Sequence, residues 1–327
     1  MNRTCLSRTP RALSAAALLY WALPALAQGY PTQPMRLVVP YPAGGSTDAI
    51  ARLYAEAMAS ELGQPVVVDN RPGAATNIGS EAVVRATADG YTLLFGAGGP
   101  TLNQVFGPKP SFDPATALQP VSLIARVPFM LAANPKTPFS TVPQFVSAAK
   151  ARPGKFSVSS AQLNVYVELM KAKAHVDVLH VPYKGGAQAA TDAIAGQVDM
   201  VYALVPVLLP HVQAGKLKAI GVTSVARQRK VLPDTPSFTE AGVGYSIDTA
   251  YSLSAPAGTP APVLDRLTRA TKKVVGDPAS VEKLAAIGAE AASSDPESLR
   301  RENAPNLRTW TELAAKVPSL ILSEQQK

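Results

Sequence analysis

Residues 35–58 read MRLVVPYPAGGSTDAIARLYAEAM, and this stretch decides the fold class. Met35–Val39 is a short continuous apolar run of strand length. It passes into Pro40-Tyr41-Pro42-Ala43-Gly44-Gly45, which cannot be helical. Ile50, Leu53, Tyr54, Ala57 and Met58 then recur at the spacing of one helix face. Ser46 or Thr47 is placed to cap that helix and Gly63 to end it. A strand at Val66–Val68, a helix over Asn77–Ala86 and a strand at Tyr91–Phe95 follow. The order βαβαβ implies parallel strands with helices on both faces.

Beyond this block the chain is proline-rich and extended from Pro108 to Pro143, with strand signals at Val121–Ile124 and Phe129–Ala133. Thr141-Val-Pro-Gln144 is a capping-box start for a helix through Ala151. Alternation then resumes: strand Phe156–Ser159, helix Tyr166–Ala174, strand Val176–Val181, helix Ala187–Ala195, strand Val198–Tyr202, a helix near Val207–Ala214 and strand Leu217–Val222. Tyr251–Ala255 is a further strand. Helices at Pro262–Val275, Pro278–Ile287 and from Asp295 onward close the chain, with Pro305 expected to break or kink the last. Two α/β blocks, an extended crossing and terminal helices without a third sheet fit one topology. The chain builds part of lobe one (28–126), makes lobe two (127–250) and returns to finish lobe one (251–327). Ligands of such folds bind between lobes, at the carboxyl ends of the strands, with the two crossings as a hinge.

Composition sharpens this reading. The chain has 327 residues, 47% hydrophobic and 17% charged, which is globular composition. Arg3, Arg8 and Arg11 precede an apolar run from Ala12 to Leu26, and Ala25-Leu26-Ala27 supplies a small-residue exit, the three parts of a secretory signal at residues 1–27. The run is too short to span a bilayer. Removing 27 of 327 residues leaves 300, and the loss of three arginines takes the net charge from +8 to +5. The single cysteine, Cys5, goes with the signal. It precedes the apolar run, so it is not a lipid anchor. The processed chain, expected to be exported, therefore has no disulfide, thiolate metal site or cysteine nucleophile.

The strand-end loops carry the chemistry. In Tyr41–Asp48, Gly44 and Gly45 let backbone approach a ligand, Ser46 and Thr47 offer hydroxyls, and the free N–H groups of the following helix favour an anion. On its own the loop is equally well explained as a turn that needs glycine for geometry. It is not a nucleotide P-loop, since no Gly-Lys-Ser/Thr follows. A second glycine-bearing turn runs from Asn70 to Asn77 and includes Thr76. A third, Gly96-Ala97-Gly98-Gly99, follows the third strand. In the second block the matching turn is Tyr183-Lys184-Gly185-Gly186, where Lys184 is either an anion attractor or a surface lysine.

Catalytic patterns are scarce. His175, His180 and His211 lack the i, i+4 spacing of metal ligands, and there is no G-x-S-x-G elbow. Asp48 at a helix start is a cap or dipole partner and not a general base, and Asp199 is structural. The densest basic run, Arg227, Arg229 and Lys230, has no interleaved aromatics, which disfavours nucleic acid. No pattern calls for a cofactor or a metal, and none for an enzyme.

Taken in order, these segments resemble the substrate-binding receptors of tripartite tricarboxylate transporters, the Bug-type periplasmic proteins. The resemblance is carried by YPTQPMRLVVPYPAGGSTD at 30–48, LGQPVVVDNRPGAATNIG at 62–79 and DGYTLLFG at 89–96. It continues in HVPYKGG at 180–186, GQVDMVY at 196–202, LPHVQAGKLKAIGVTS at 209–224, LPDTPSFTEAG at 232–242 and APAGTP at 255–260. It implies a two-lobed type II periplasmic binding fold of parallel or mixed sheets with a two-strand hinge. It also implies a monomer that closes on a small carboxylate and delivers it to membrane subunits. The implied ligand contacts are Tyr41, Ala43, Gly44, Ser46, Thr47 and Asp48 in the first loop. Thr76, Asn77, Gly96, Ala97, Tyr183, Lys184 and Gly185 stand in the facing turns. One departure is local. The turn after the strand opening lobe two, Ser157 to Glu168, is about four residues shorter than the family pattern, with neither Gly nor His. Ser159 and Ser160, with Gln162 or Asn164, are left as donors there. Ala250 likewise stands where an aromatic residue is common. A ligand-dependent partner of a periplasmic sensor is the alternative reading. A transferase on the same fold would need a covalent cofactor site, and the familiar thioether route is closed without cysteine.

Overall fold

The computed structural model describes residues 29–161, 164–183 and 185–316. The expected signal segment, Gln162 and Lys184 lie outside the described residues. In chain order the elements are β1 (Met35–Val39), α1 (Ser46–Leu62), β2 (Val66–Asn70), a 3-10 turn (Ala74–Thr76), α2 (Asn77–Val84), β3 (Thr92–Gly96), α3 (Gly99–Phe106), α4 (Pro114–Ala117) and β4 (Leu118–Ala133). There follow α5 (Val142–Ala151), β5 (Ser157–Ala161), α6 (Asn164–Ala174), β6 (Leu179–Tyr183), α7 (Gly186–Ala195), β7 (Met200–Leu204), α8 (Val205–Gln213) and β8 (Lys218–Val222). The chain closes with β9 (Asp248–Pro256), α9 (Ala261–Gly276), α10 (Pro278–Ala286), β10 (Glu290–Ala291) and α11 (Pro296–Lys316).

The strands form one continuous mixed path, β2-β1-β3-β9-β4-β7-β5-β6, with β8 and β10 also paired to β4. β1 is parallel to β2 and β3, and β5 is parallel to β6 and β7, as the alternating pattern predicts. β9 enters antiparallel between β3 and β4, so the return crossing is a central strand. The two signals at Val121–Ile124 and Phe129–Ala133 belong to one strand of 16 residues. Up to Pro128 it pairs with β9, and from Phe129 it pairs with β7. Proline cannot donate to a ladder, so Pro128 falls at the handover between partners, where its missing N–H is least costly.

Alternation along β4 builds two cores on the far side of that handover. Phe129, Leu131 and Ala133 pack with Phe145, Val158, Met170 and Phe238, whereas Met130 and Ala132 pack with Ala189, Val201 and Leu208. The near half of β4 joins β1, β3 and β9 in a third core, covered by α1, α9 and α10. A buried bond between Tyr54 and Thr271 hydroxyls, 2.8 Å, ties α1 to the returning α9.

Three local expectations are corrected. Neither Ser46 nor Thr47 caps α1: Gly45 is the N-cap, in extended conformation and without a side-chain bond, and both hydroxyl residues fall inside the first turn. Gly99, the last residue of the third glycine turn, instead opens α3, with Pro100 in the first turn as a helix-start signal. Pro305 does not end α11, which runs through it to Lys316. Proline's φ is helical, and only one ladder bond is forfeited there.

Candidate functional site

The first loop is held open by a buried brace. Gly44 takes φ +80°, a region that costs other residues roughly 1 kcal/mol or more. Its N–H donates to Asp48 Oδ2 at 2.9 Å. Arg52 Nε donates to the same oxygen at 2.9 Å, and Asn70 Nδ2 donates to Asp48 Oδ1 at 3.0 Å and to the Tyr41 carbonyl at 3.1 Å. Burial opposes ionisation of Asp48, but the bonds from Arg52, Gly44 and Asn70 outweigh it and hold the carboxyl below its usual value. Asp48 thus shapes the loop and has little capacity left for a ligand. The first intrahelical bond is Ala49 N–H to the Gly45 carbonyl. The N–H groups of Ser46, Thr47 and Asp48 are therefore not used by the helix, and Ala43, Gly44 and Gly45 are exposed beside them.

The second turn is strained and stapled. Ala74, Ala75 and Thr76 all have positive φ, 43°, 50° and 83°. Asn103 of α3 supplies the staple, donating to the Ala75 carbonyl at 2.7 Å and to Asn77 Oδ1 at 2.9 Å, while Asn77 Nδ2 donates to the Pro108 carbonyl. The Asn77 side chain is therefore structural. Thr76 Oγ1 is buried with no partner and lies where a side chain on Gly99 would intrude, so the α3 start must be glycine. Gly96 remains in the β3 ladder opposite Ser252, and Ala97 is half-buried next to it.

The second lobe contributes differently from expectation. Ser159 is fully buried and gives its hydroxyl to interior carbonyls, Ala189 at 3.2 Å and Met200 at 3.1 Å. Ser160 Oγ meets His180 Nε2 at 2.8 Å and is also buried. Burial holds the His180 imidazole below its usual value, with Glu168 opposing and Lys171 adding to the effect. Among the described residues no carboxylate is hydrogen-bonded to the other ring nitrogen, so the pair lacks the orienting group of a catalytic triad. Tyr183 Oη donates to Asp192 Oδ2 at 2.6 Å, which fixes the strand end ahead of Gly185, the N-cap of α7. Asp199 accepts from Ser157 N and Oγ, the structural role expected of it. No cluster of three or more His, Cys, Asp or Glu suited to a metal occurs among the described residues.

Sequence reasoning missed the tyrosines at the lobe junction. Thr47 Oγ1 and Tyr251 Oη lie 2.7 Å apart, and the Tyr251 ring stacks on Phe95 at 5.3 Å. Burial pushes the Tyr251 hydroxyl up to about 12 against the opposing bond from Thr47. Across the junction Tyr202 and Tyr245 hydroxyls meet at 2.7 Å, and Tyr245 Oη donates to the Tyr166 carbonyl. Tyr166 packs edge-on to Trp310 of α11 and 4.9 Å from Phe129. Arg126 of β4 binds Asp248 of β9 at 3.1 Å and also Glu302 of α11, which clamps both crossing strands to the last helix. Only the regular placement of aromatic residues near strand ends could have signalled this cluster.

Comparison with known proteins gives a consistent result. The model of the tripartite tricarboxylate transporter family receptor matches residues 50–317. A protein from the tcbD–tcbE intergenic region of Pseudomonas sp. strain P51 is 36% identical over 290 residues, covering 87% of this chain and 86% of its own. An R. palustris protein solved with adipate is 32% identical, with TM-score 0.79, covering 88% of this chain and 97% of its own. MatC from Rhodopseudomonas palustris, solved with bound malate, is 28% identical, with TM-score 0.74, covering 87% of this chain and 99% of its own. The chain belongs to the tripartite tricarboxylate transporter receptor family, whose members are periplasmic solute-binding proteins and not enzymes.

Proposed function

We propose that this receptor captures a small carboxylate between lobe one (28–126 and 251–327) and lobe two (127–250) and delivers it to the membrane subunits of a tripartite transporter. The observation that carries the reading is the start of α1. There, unused N–H groups and exposed Ala43, Gly44 and Gly45 converge on a loop that Asp48, Arg52 and Asn70 hold rigid. Such a helix start favours an anion by roughly 0.3–2 kcal/mol from the dipole, besides the hydrogen bonds themselves. Ser46, Thr47, Gly96 and Ala97 are assigned to the near wall, and Tyr183 and Gly185 to the lobe-two side. The similarity to proteins solved with adipate and with malate supports a carboxylate ligand. The receptor acts as a monomer in the periplasm after cleavage behind Ala27.

Calorimetry and thermal melting with a panel of mono- and dicarboxylates test this. A bound ligand at one hundred times its Kd stabilises the fold by ~2.7 kcal/mol and raises the melting temperature. No heat and no shift across the panel would remove the binding assignment. Recovery of a sensor ectodomain without permease subunits would shift the role from transport to signalling.

A further inference from the structure

Beside the crossing strands, two segments far apart in sequence meet. β10 pairs with β4 at Ala125 and Arg126, and β7 pairs with it from Phe129 onward. The residues just outside these ladders touch: Gly288, ahead of β10, lies against Val205, which opens α8 after β7. Val205 is fully buried, and a Cβ on Gly288 would sit 2.4 Å from its Cγ1. Gly288 also takes φ +79°, so the contact requires glycine twice over. Gln228, on the loop after β8, covers this contact. Its Nε2 donates to the Gly288 carbonyl at 3.1 Å and to Glu290 Oε1 at 3.4 Å. A carbonyl only accepts, so the amide nitrogen has to face it and the amide oxygen points elsewhere. Gln228 is 8% exposed, and that Oε1 is buried with no hydrogen-bond partner among the described residues. With the lobes divided as above, Val205 and Gln228 belong to lobe two, Gly288 and Glu290 to lobe one. β5 is parallel to both β6 and β7, so Ala161, Tyr183 and Leu204 end on one side of lobe two. The Val205 contact therefore stands in the same row of strand ends as the Tyr183–Gly185 turn.

We propose that Gln228 and Gly288 form a latch between the lobes, engaged when the strand-end turns face each other and released when they part. This rests on the receptor reading above and adds a device that sets its affinity. The latch is weak by construction. The bond gained at Nε2 is set against a buried Oε1 left unpaired, and the two effects are of similar size, so neither arrangement is locked. With the latch engaged, both walls are presented to a ligand. The observed affinity is then the intrinsic one reduced by the fraction of molecules in that arrangement. Gln228 is thus a positioning residue: it alters the fraction and not the ligand contacts, so its loss weakens every ligand by the same factor.

Gln228→Glu keeps the shape of the side chain but turns an acceptor toward the Gly288 carbonyl and Glu290, which releases the latch. Calorimetry with adipate and malate on wild type and variant is read beside small-angle X-ray scattering of the same proteins without ligand. Gln228→Glu is expected to bind each ligand roughly threefold or more weakly than wild type, by one common factor. Its radius of gyration is expected to exceed that of wild type and to return to it on adding adipate. Should Gln228→Glu not melt cooperatively, Gly288→Ala, which pushes on Val205 from the other lobe, takes its place with the same expected results. A folded variant with wild-type affinity and radius overturns the proposal while the receptor reading stands. Weakening of one ligand alone overturns it as well, since that marks a ligand contact, and so does tighter binding, since the bond would then hold the lobes apart. A wild type that binds none of the wider carboxylate panel removes the receptor reading, and the radius of Gln228→Glu alone then decides the latch.

Discussion

Thr47 Oγ1 and Tyr251 Oη are 2.7 Å apart and buried, which joins the first turn of α1 to the middle of β9. The bond links the first loop to the strand that returns from lobe two. A double-mutant cycle with Thr47→Val and Tyr251→Phe is expected to give a coupling of about 1 kcal/mol in unfolding free energy. Additive effects would show that the loop and the crossing strand are energetically independent.

Asp48 makes the loop acid-sensitive. Its carboxyl is depressed in the folded state, so its contribution is fully present above the unfolded value and is lost as pH falls through the folded one. Melting temperatures of wild type and Asp48→Asn should therefore differ at neutral pH and converge below the usual carboxyl value of 3.8. A constant difference across that range would contradict the brace.

His180 carries the same proton balance at a higher pH. Buried and neutral, it binds its proton less readily than the unfolded imidazole does at its usual 6.5. Stability then declines as pH falls from that value through the depressed folded one. Replacing it, as in His180→Gln, should flatten the melting-temperature profile between about pH 7 and about pH 5. An unchanged slope would assign the acid sensitivity elsewhere.

Gly79 has no room for a side chain. A Cβ there would lie 2.7 Å from the Arg71 carbonyl oxygen and 2.8 Å from Pro40 Cβ, both on parts of the chain that frame the first two glycine-bearing turns. Gly79→Ala should cost roughly 1–3 kcal/mol of stability, measurable by urea unfolding. Wild-type stability would mean that α2 can shift without cost.

The α/β order was legible because Met35–Val39 is a continuous apolar run of strand length and Ile50–Met58 shows the 3.6-residue period of a helix face. The boundary of β6 was not: the apolar run from Val176 suggested an earlier start, but the strand begins at Leu179, since Val176 and Val178 pack as a buried approach to it. In the candidate site, the unused backbone N–H of Ser46 could be read from the helix start, whereas the Gly44 N–H is taken by Asp48. Ser159 could not, because alternation along β5 decides whether a hydroxyl faces the cleft or the interior, and one position of register separates the two. The tyrosine cluster was hidden for a different reason. Tyr166, Tyr202 and Tyr245 come from separate segments and meet only in the folded chain.

β9 lies between β3 and β4, with Leu94 opposite Ser254. As the chain is synthesised from its amino end, β1, α1, β2, α2 and β3 emerge long before the strand that completes their sheet. The open edge of β3 has to wait, and long-range closure of this kind is slow. Position in the chain thus acts as a timer. A polypeptide that finishes its first sheet last stays threadable for most of its synthesis, which suits a protein whose family works on the far side of a membrane.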